Sequence, residues 1–241
     1  MPSDRSWFTT THWSVVLAAK TGDGEESKDA LEKLCRTYWA PLYSYIRRDG
    51  YSAEDAQDLT QEFFARLLAK DYLSRLQDQR GKFRSFLLTF LKHFLSDQRD
   101  KARAQKRGGG KQFISLDETS AEEREFAVAD HSANPEQLFE KRWAAAVLEH
   151  ALQRLRQEYQ AGGKSTLFEH LKDLQPGEPG GRSYAEIGAL VGMTESSVKS
   201  AAHRLRQRHR EVLREEIAQT VSSNEEIDEE IRYLLSVLGR S

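Results

Sequence analysis

The sequence is short of the features that mark several large classes of protein. It has a single cysteine, Cys35, in the apolar-rich stretch LEKLCRTYW. One thiol closes no internal disulfide, which fits a reducing cytoplasm. With no obvious partner nearby, Cys35 reads as a small core residue and not as a nucleophile. No apolar run approaches the roughly 20 residues needed to span a bilayer, so no membrane insertion is expected. The opening MPSDRSWFTTTHWSVVLAAK lacks a basic start followed by a long apolar core, so no signal peptide is expected either. There is no zinc-type cysteine cluster, no phosphate-binding loop and no convincing catalytic constellation; the expectation is no enzyme, no cofactor and no metal. No segment reads as a strand and none repeats in tandem. What is present, 38% hydrophobic and 31% charged over 241 residues, is a charged, helix-rich chain long enough for one large domain or two small ones.

A formal net charge of −2 argues against a constitutive nucleic-acid binder, but the charge is unevenly placed. Arg99, Lys101, Arg103, Lys106, Arg107 and Lys111 face only Asp100 in opposition. Lys199, Arg204, Arg206, Arg208, Arg210 and Arg214 form a second basic stretch, with His203 and His209 interleaved and Glu211 opposing. Acids concentrate between these stretches, from Asp117 to Glu125, and at the end, from Glu225 to Glu230. Two basic patches offset by acidic segments point to two DNA contacts whose reach is limited in the free chain.

Helical spacing places Leu31, Leu34, Tyr38, Leu42, Tyr45 and Ile46 on one stripe, with a kink or a junction of two helices expected at Pro41. Asp49-Gly50 ends it. Ser52 reads as the cap of the next helix, with Asp55 three residues on. Gln79-Arg80-Gly81 reads as a turn. An aromatic helix follows from Lys82 and becomes the first basic patch, closing at Gly108-Gly109-Gly110. Residues 112–135 read as an acidic linker. Asn134-Pro135-Glu136 opens a second unit, with helical patterns at Leu138 to Tyr159, Ser165 to Leu174, Ser183 to Val191 and Thr194 to about Thr220; Gln175 to Gly181 reads as a loop. The fold class is all-α: two small helical domains, 1–111 and 136–220, joined by the 112–135 linker, then a helical extension over 221–241.

The sharpest local signal is SYAEIGALVGMTESSVKSAAHRLRQRHR, which has the grammar of a helix-turn-helix. Gly188 is small where two helices approach, Gly192 suits a positive φ in the turn, and Thr194 caps the second helix. Ile187, Leu190, Val191, Val198, Ala202 and Leu205 are the expected shared core. That leaves Glu195, Ser196, Ser197, Lys199, Ser200, His203, Arg204, Arg206 and Arg208 exposed, the first of them in reach of base edges and the later arginines suited to phosphates. The bland counterpart is a helical hairpin with a solvated basic face; capping, both glycines and one-sided basicity favour DNA. Two further constellations are weaker alone. In AEDAQDLTQEFFARLL, Leu59, Phe63 and Leu67 mark a buried stripe and Asp55, Asp58, Gln61, Glu62 and Arg66 lie elsewhere, which is also how a solvated acidic face looks. In FRSFLLTFLKHFLSDQRDKARAQKR the phenylalanines are more often core than base-stacking platforms.

Taken in order, these segments resemble the extracytoplasmic-function (ECF) group of the sigma-70 family of RNA polymerase sigma factors, from about Ala30 to Arg214. The resemblance implies that DLTQEFFARLL docks on core polymerase through Asp55, Asp58, Gln61 and Glu62. It implies that the aromatic-then-basic helix melts and reads the promoter element about ten bases upstream of the start, through Lys92, His93, Gln98, Arg99, Lys101 and Arg103. The helix-turn-helix would read the element about thirty-five bases upstream through Ser196, Ser197, Lys199, Ser200, His203 and Arg204. Gln57, Phe86 and His93 depart from the acid, tryptophan and asparagine usual in such factors, and a proline- and glycine-rich insertion precedes the helix-turn-helix. The implied partners are core RNA polymerase and promoter DNA, with an anti-sigma factor or other regulator as a further one, in the cytoplasm. The alternative is a polymerase-independent helix-turn-helix regulator whose first domain senses a partner. Beyond the resemblance, Asn224 to Leu238 reads as a helix capped by Asn224. Its apolar face, with Ile227, Ile231, Leu234, Leu235 and Leu238, packs either on the Leu138 to Tyr159 helix or reversibly near the basic recognition helix.

Overall fold

The computed structural model describes residues 25–67, 82–106, 134–172, 182–221 and 223–239. Among these there are eight α-helices and no strand: α1 (Glu25–Arg48), α2 (Ala53–Leu67), α3 (Phe83–Lys106), α4 (Pro135–Ala161), α5 (Ser165–Leu171), α6 (Tyr184–Val191), α7 (Glu195–Ala218) and α8 (Ile227–Leu238), the last entered through a 3-10 turn at Asn224–Glu226. The all-α expectation therefore holds. The Gln79–Gly81 turn, Gly108–Gly110, Arg107, Lys111, the linker up to residue 133 and the loop from Gln175 to Gly181 lie outside the described residues.

Local chemistry accounts for most helix ends. Ser52 accepts from the Asp55 backbone N–H at 3.0 Å and its hydroxyl donates to the Asp55 carboxylate at 2.8 Å, opening α2. Asn134 and Gln137 cap each other reciprocally ahead of Pro135, at 2.8 and 3.0 Å. Two expectations are corrected. α1 runs unbroken through Pro41, which is buried inside it, so of the kink or junction expected there the junction of two helices is overturned. Packing of the flanking Tyr38, Leu42, Tyr45 and Ile46, all buried, offsets the missing backbone bond. At the other end, Ser223 rather than Asn224 is the capping residue. Its N–H donates to the Glu226 carboxylate at 3.2 Å, and Asn224 lies inside the 3-10 turn.

Residues 25–106 close around Phe63, whose ring lies 5.0 Å from Phe90 and 5.8 Å from Phe94, with Trp39 stacked on Phe64 at 6.0 Å. Residues 134–239 are organised by α4, against which α1, α5, α7 and α8 all pack. Its buried face is Leu138, Phe139, Trp143, Ala144, Val147, Ala151 and Leu155. The most extensive helix pair is α1 on α4, where Thr37 Oγ1 meets His150 Nδ1 at 3.1 Å. The C-terminal helix packs on both of the helices expected as its partners, with Ile227, Leu234 and Val237 buried against α4 and α7. Leu190 does not join the core. It is 57% exposed, because it faces an open groove of about 750 Å³ between α5 and the α6–α7 turn, beside Leu167, Val191 and Met193.

Burial sets the expected cost of truncation at these two apolar positions. Trp143→Ala should lower the free energy of urea unfolding by about 3–5 kcal/mol, since the ring is fully enclosed. Leu190→Ser should stay within about 0.5 kcal/mol of the parent, as for other exposed sites. A large loss for the Leu190 variant would contradict its placement.

Candidate nucleic-acid interface

The helix-turn-helix is built from short-range contacts. Ser183 caps α6: its hydroxyl accepts from the Glu186 N–H at 3.2 Å, and its own N–H donates to the Glu186 carboxylate at 2.7 Å. Gly192 ends α6 at φ 70°, in the left-handed region that glycine enters without strain. At Gly188 a Cβ would stand 2.5 Å from the Met193 carbonyl oxygen, so the turn passes directly over this position. Thr194 then caps α7, accepting from the Ser197 N–H at 3.2 Å.

On α7 the buried residues Val198, Ala201, Ala202 and Leu205 fall on one side. Ser196, Ser197, Lys199, Ser200, His203 and Arg204, all exposed, fall on the other, because a 100° step per residue brings them into one arc. Lys199 is held by Glu195 at 2.7 Å and lies 5.8 Å from the Tyr184 ring. The bond to Glu195 raises its ammonium above the ordinary value. Exposed Arg210 continues the same face. It stands in the basic run of the sequence, and continuing the helical stripe one more turn would have included it. Arg206 and Arg208 are corrections, being half-buried instead of exposed. Arg206 donates to the Tyr184 hydroxyl at 3.3 Å. Arg208 grips Glu158 of α4 with two bonds of 2.8 and 2.9 Å, and those bonds hold the Glu158 carboxyl below the usual carboxylate range.

The other predicted residues divide differently. Asp55, Asp58, Gln61 and Glu62 are exposed on one face of α2, with Glu62 3.8 Å from Arg66, which in turn reaches Asp97 of α3 at 3.6 Å. The α3 residues do not share one face. Lys92, Arg99 and Arg103 lie on one stripe, His93 turns aside, and Gln98 and Lys101 lie on other sides of the helix. Lys92 is paired with Glu136 of α4, Arg99 with Asp49, and Arg103 lies 3.7 Å from Asp100. A cleft of about 590 Å³ brings Asp55 and Asp58 together with Gln98, Arg99 and Arg103. Among the described residues no group of histidine, cysteine and carboxylate side chains is arranged to hold a metal ion.

An exposed acidic face, an aromatic helix turning basic and a capped helix-turn-helix thus occur in one chain and in that order. The profile of the ECF sigma factor family matches residues 16–215. The chain belongs to the ECF sigma factor family. It is similar to the ECF RNA polymerase sigma factor SigE of Mycolicibacterium smegmatis, with 29% identity over 224 residues, covering 90% of this chain and 77% of that relative. No solved structure gives a significant match. α8 of this sigma factor lies beyond the residues that the family profile matches.

The turn of the helix-turn-helix yields a direct test. Gly188→Ala should destabilise the chain by about 1–3 kcal/mol, because the new methyl meets backbone and cannot be accommodated by a side-chain rotation. Gly192→Ala should cost about 1–2 kcal/mol through its positive φ alone. Thermal denaturation of both variants measures this, and an unchanged midpoint for Gly188→Ala would contradict the close approach.

Proposed function

We propose that this sigma factor directs core RNA polymerase to its promoters through three sets of residues, two of them meeting at the cleft between α2 and α3, divided between a first module over residues 1–111 and a second over 136–220. The observation that carries the reading is the single exposed face of α7, with Ser196, Ser197, Lys199, Ser200, His203 and Arg204 opposite a fully buried stripe. A helix so presented fits a major groove, its early residues toward base edges and Arg204 toward phosphate. The acidic face of α2, with Asp55, Asp58, Gln61 and Glu62, docks on core polymerase. The α3 helix steadies the opened strand at the downstream element, through the stripe of Lys92, Arg99 and Arg103 and, from its other sides, His93, Gln98 and Lys101. The chain makes and breaks no bond; it contributes binding energy to strand separation. It works in the cytoplasm, a reading compatible with the fact that no described helix is long and apolar enough to cross a membrane. An anti-sigma factor or other regulator would act by covering one of these exposed faces.

Two experiments address the surfaces separately. Reversing Asp58 and Glu62 to lysine should abolish co-purification with core polymerase while leaving helicity unchanged; normal core affinity would remove the docking assignment. On the second module, Arg204→Ala should weaken DNA binding for all sequences and lower the salt slope by about 1, as a lost phosphate contact does. Lys199→Ala should instead shift preference among upstream elements by about 1–3 kcal/mol if it contacts a base. Binding-site selection that returns an unaltered motif for Lys199→Ala places base readout on other residues.

A further inference from the structure

The two halves of the chain, packed through α1 on α4, are fastened further by a buried charge cluster that the functions above do not use. Arg84, in the first turn of α3, is only 6% exposed. Its Nε donates to Glu230 of α8 at 2.5 Å and its second terminal nitrogen to the other Glu230 oxygen at 3.2 Å, while the remaining nitrogen reaches Glu140 of α4 at 3.4 Å. The guanidinium lies 3.9 Å from the ring centre of Tyr233 and 5.1 Å from that of Trp143. Beside it Lys82 binds Glu229 at 2.9 Å and Glu230 at 3.3 Å, and the Phe83 N–H donates to the Thr220 carbonyl at 2.9 Å. Glu230 is completely buried, on a helix outside the family match. The same closed arrangement pairs Lys92, a proposed strand contact, with Glu136 of α4, and Arg214 of α7 with Asp228 of α8.

Size decides what this closed form can do. Elements about ten and thirty-five bases upstream are separated by about 25 base pairs, or about 85 Å at roughly 3.4 Å per pair. A compact chain of 241 residues has a radius of gyration of about 18 Å, hence a width of about 45 Å. A form of that compact width spans about half the distance the two modules must cover. The fastening is also suited to release. A buried ion pair returns little net stability once its desolvation is counted, and on separation both partners regain water. Removing one partner alone leaves the other charge buried and uncompensated, which disfavours the closed form specifically.

We infer that α8 is an intramolecular latch: Glu230, closing on Arg84, holds the two DNA-binding modules in a form that cannot reach both promoter elements, and the latch opens when the factor engages polymerase and promoter. This rests on the two-element reading above. The test uses the full chain with Cys35→Ser, carrying Ala40→Cys on α1 and Gln157→Cys on α4, both exposed, as sites for a fluorescent donor and acceptor. Energy transfer is expected to be high in the free protein and lost in the complex with core polymerase and promoter DNA. It is expected to fall already in the free Glu230→Gln variant, with helicity retained. High transfer in complexes that yield a run-off transcript overturns the latch and leaves the sigma-factor surfaces standing. Absence of any transcript counts against those surfaces instead. A folded Glu230→Gln variant with parental transfer overturns the role of Glu230; if that variant fails to fold, the wild-type comparison between free and bound states decides.

Discussion

The burial of Trp143, in the third turn of α4, is the contact on which both halves of the molecule rest. On its flanks α4 receives α1 from the first half and α5, α7 and α8 from the second, and the indole itself lies under the Arg84 guanidinium that α3 extends across the junction. Apolar area on this face supplies the driving force, roughly 25 cal/mol for each Å² removed from water. The polar contacts around it, Thr37 with His150 and Arg84 with Glu140 and Glu230, fix which helices meet there. In the closed form α7 is therefore oriented by the same helix that seats α1, so the faces proposed above for DNA and for core polymerase both rest on α4.

Charge pairing resolves the conflict between a net charge of −2 and two basic stretches. Many of the arginines and lysines on α3 and α7 have an acidic neighbour within the fold: Arg99 has Asp49, Lys92 has Glu136, Arg208 has Glu158, Arg214 has Asp228. The exposed pairs contribute little stability, but they neutralise the basic surface locally. Arg208 is different: with two bonds to Glu158 it ties α7 to α4 and belongs to the scaffold, leaving Arg204 and Arg210 exposed on the face proposed for DNA.

How legible this was in the sequence follows the range of each interaction. The helix-turn-helix rests on contacts a few residues apart: Ser183 with Glu186, Gly188 with Met193, Thr194 with Ser197. Each has a residue type that announces it, and so the exposed face of α7 was predictable from spacing. The Arg84–Glu230 pair spans 146 positions, and neither charge alone announces so distant a partner. Leu190 fitted the helical period of a core residue and is exposed because the groove beside it stays open, which periodicity does not record. Pro41 carried a correct local cost that the packing of α1 on α4 overrides. The scatter of the α3 residues around their helix was implicit in a 100° step, yet clustering in sequence read as clustering in space.

The central claim is that this chain confers promoter recognition on polymerase by presenting two reading surfaces at once. Run-off transcription with purified core polymerase on genomic fragments tests it most directly. The account predicts transcripts that core polymerase alone does not make, each beginning downstream of two shared sequence elements set farther apart than the closed chain is wide. Transcription no greater than that of core alone, with the chain binding a single operator tightly in the absence of polymerase, would contradict it.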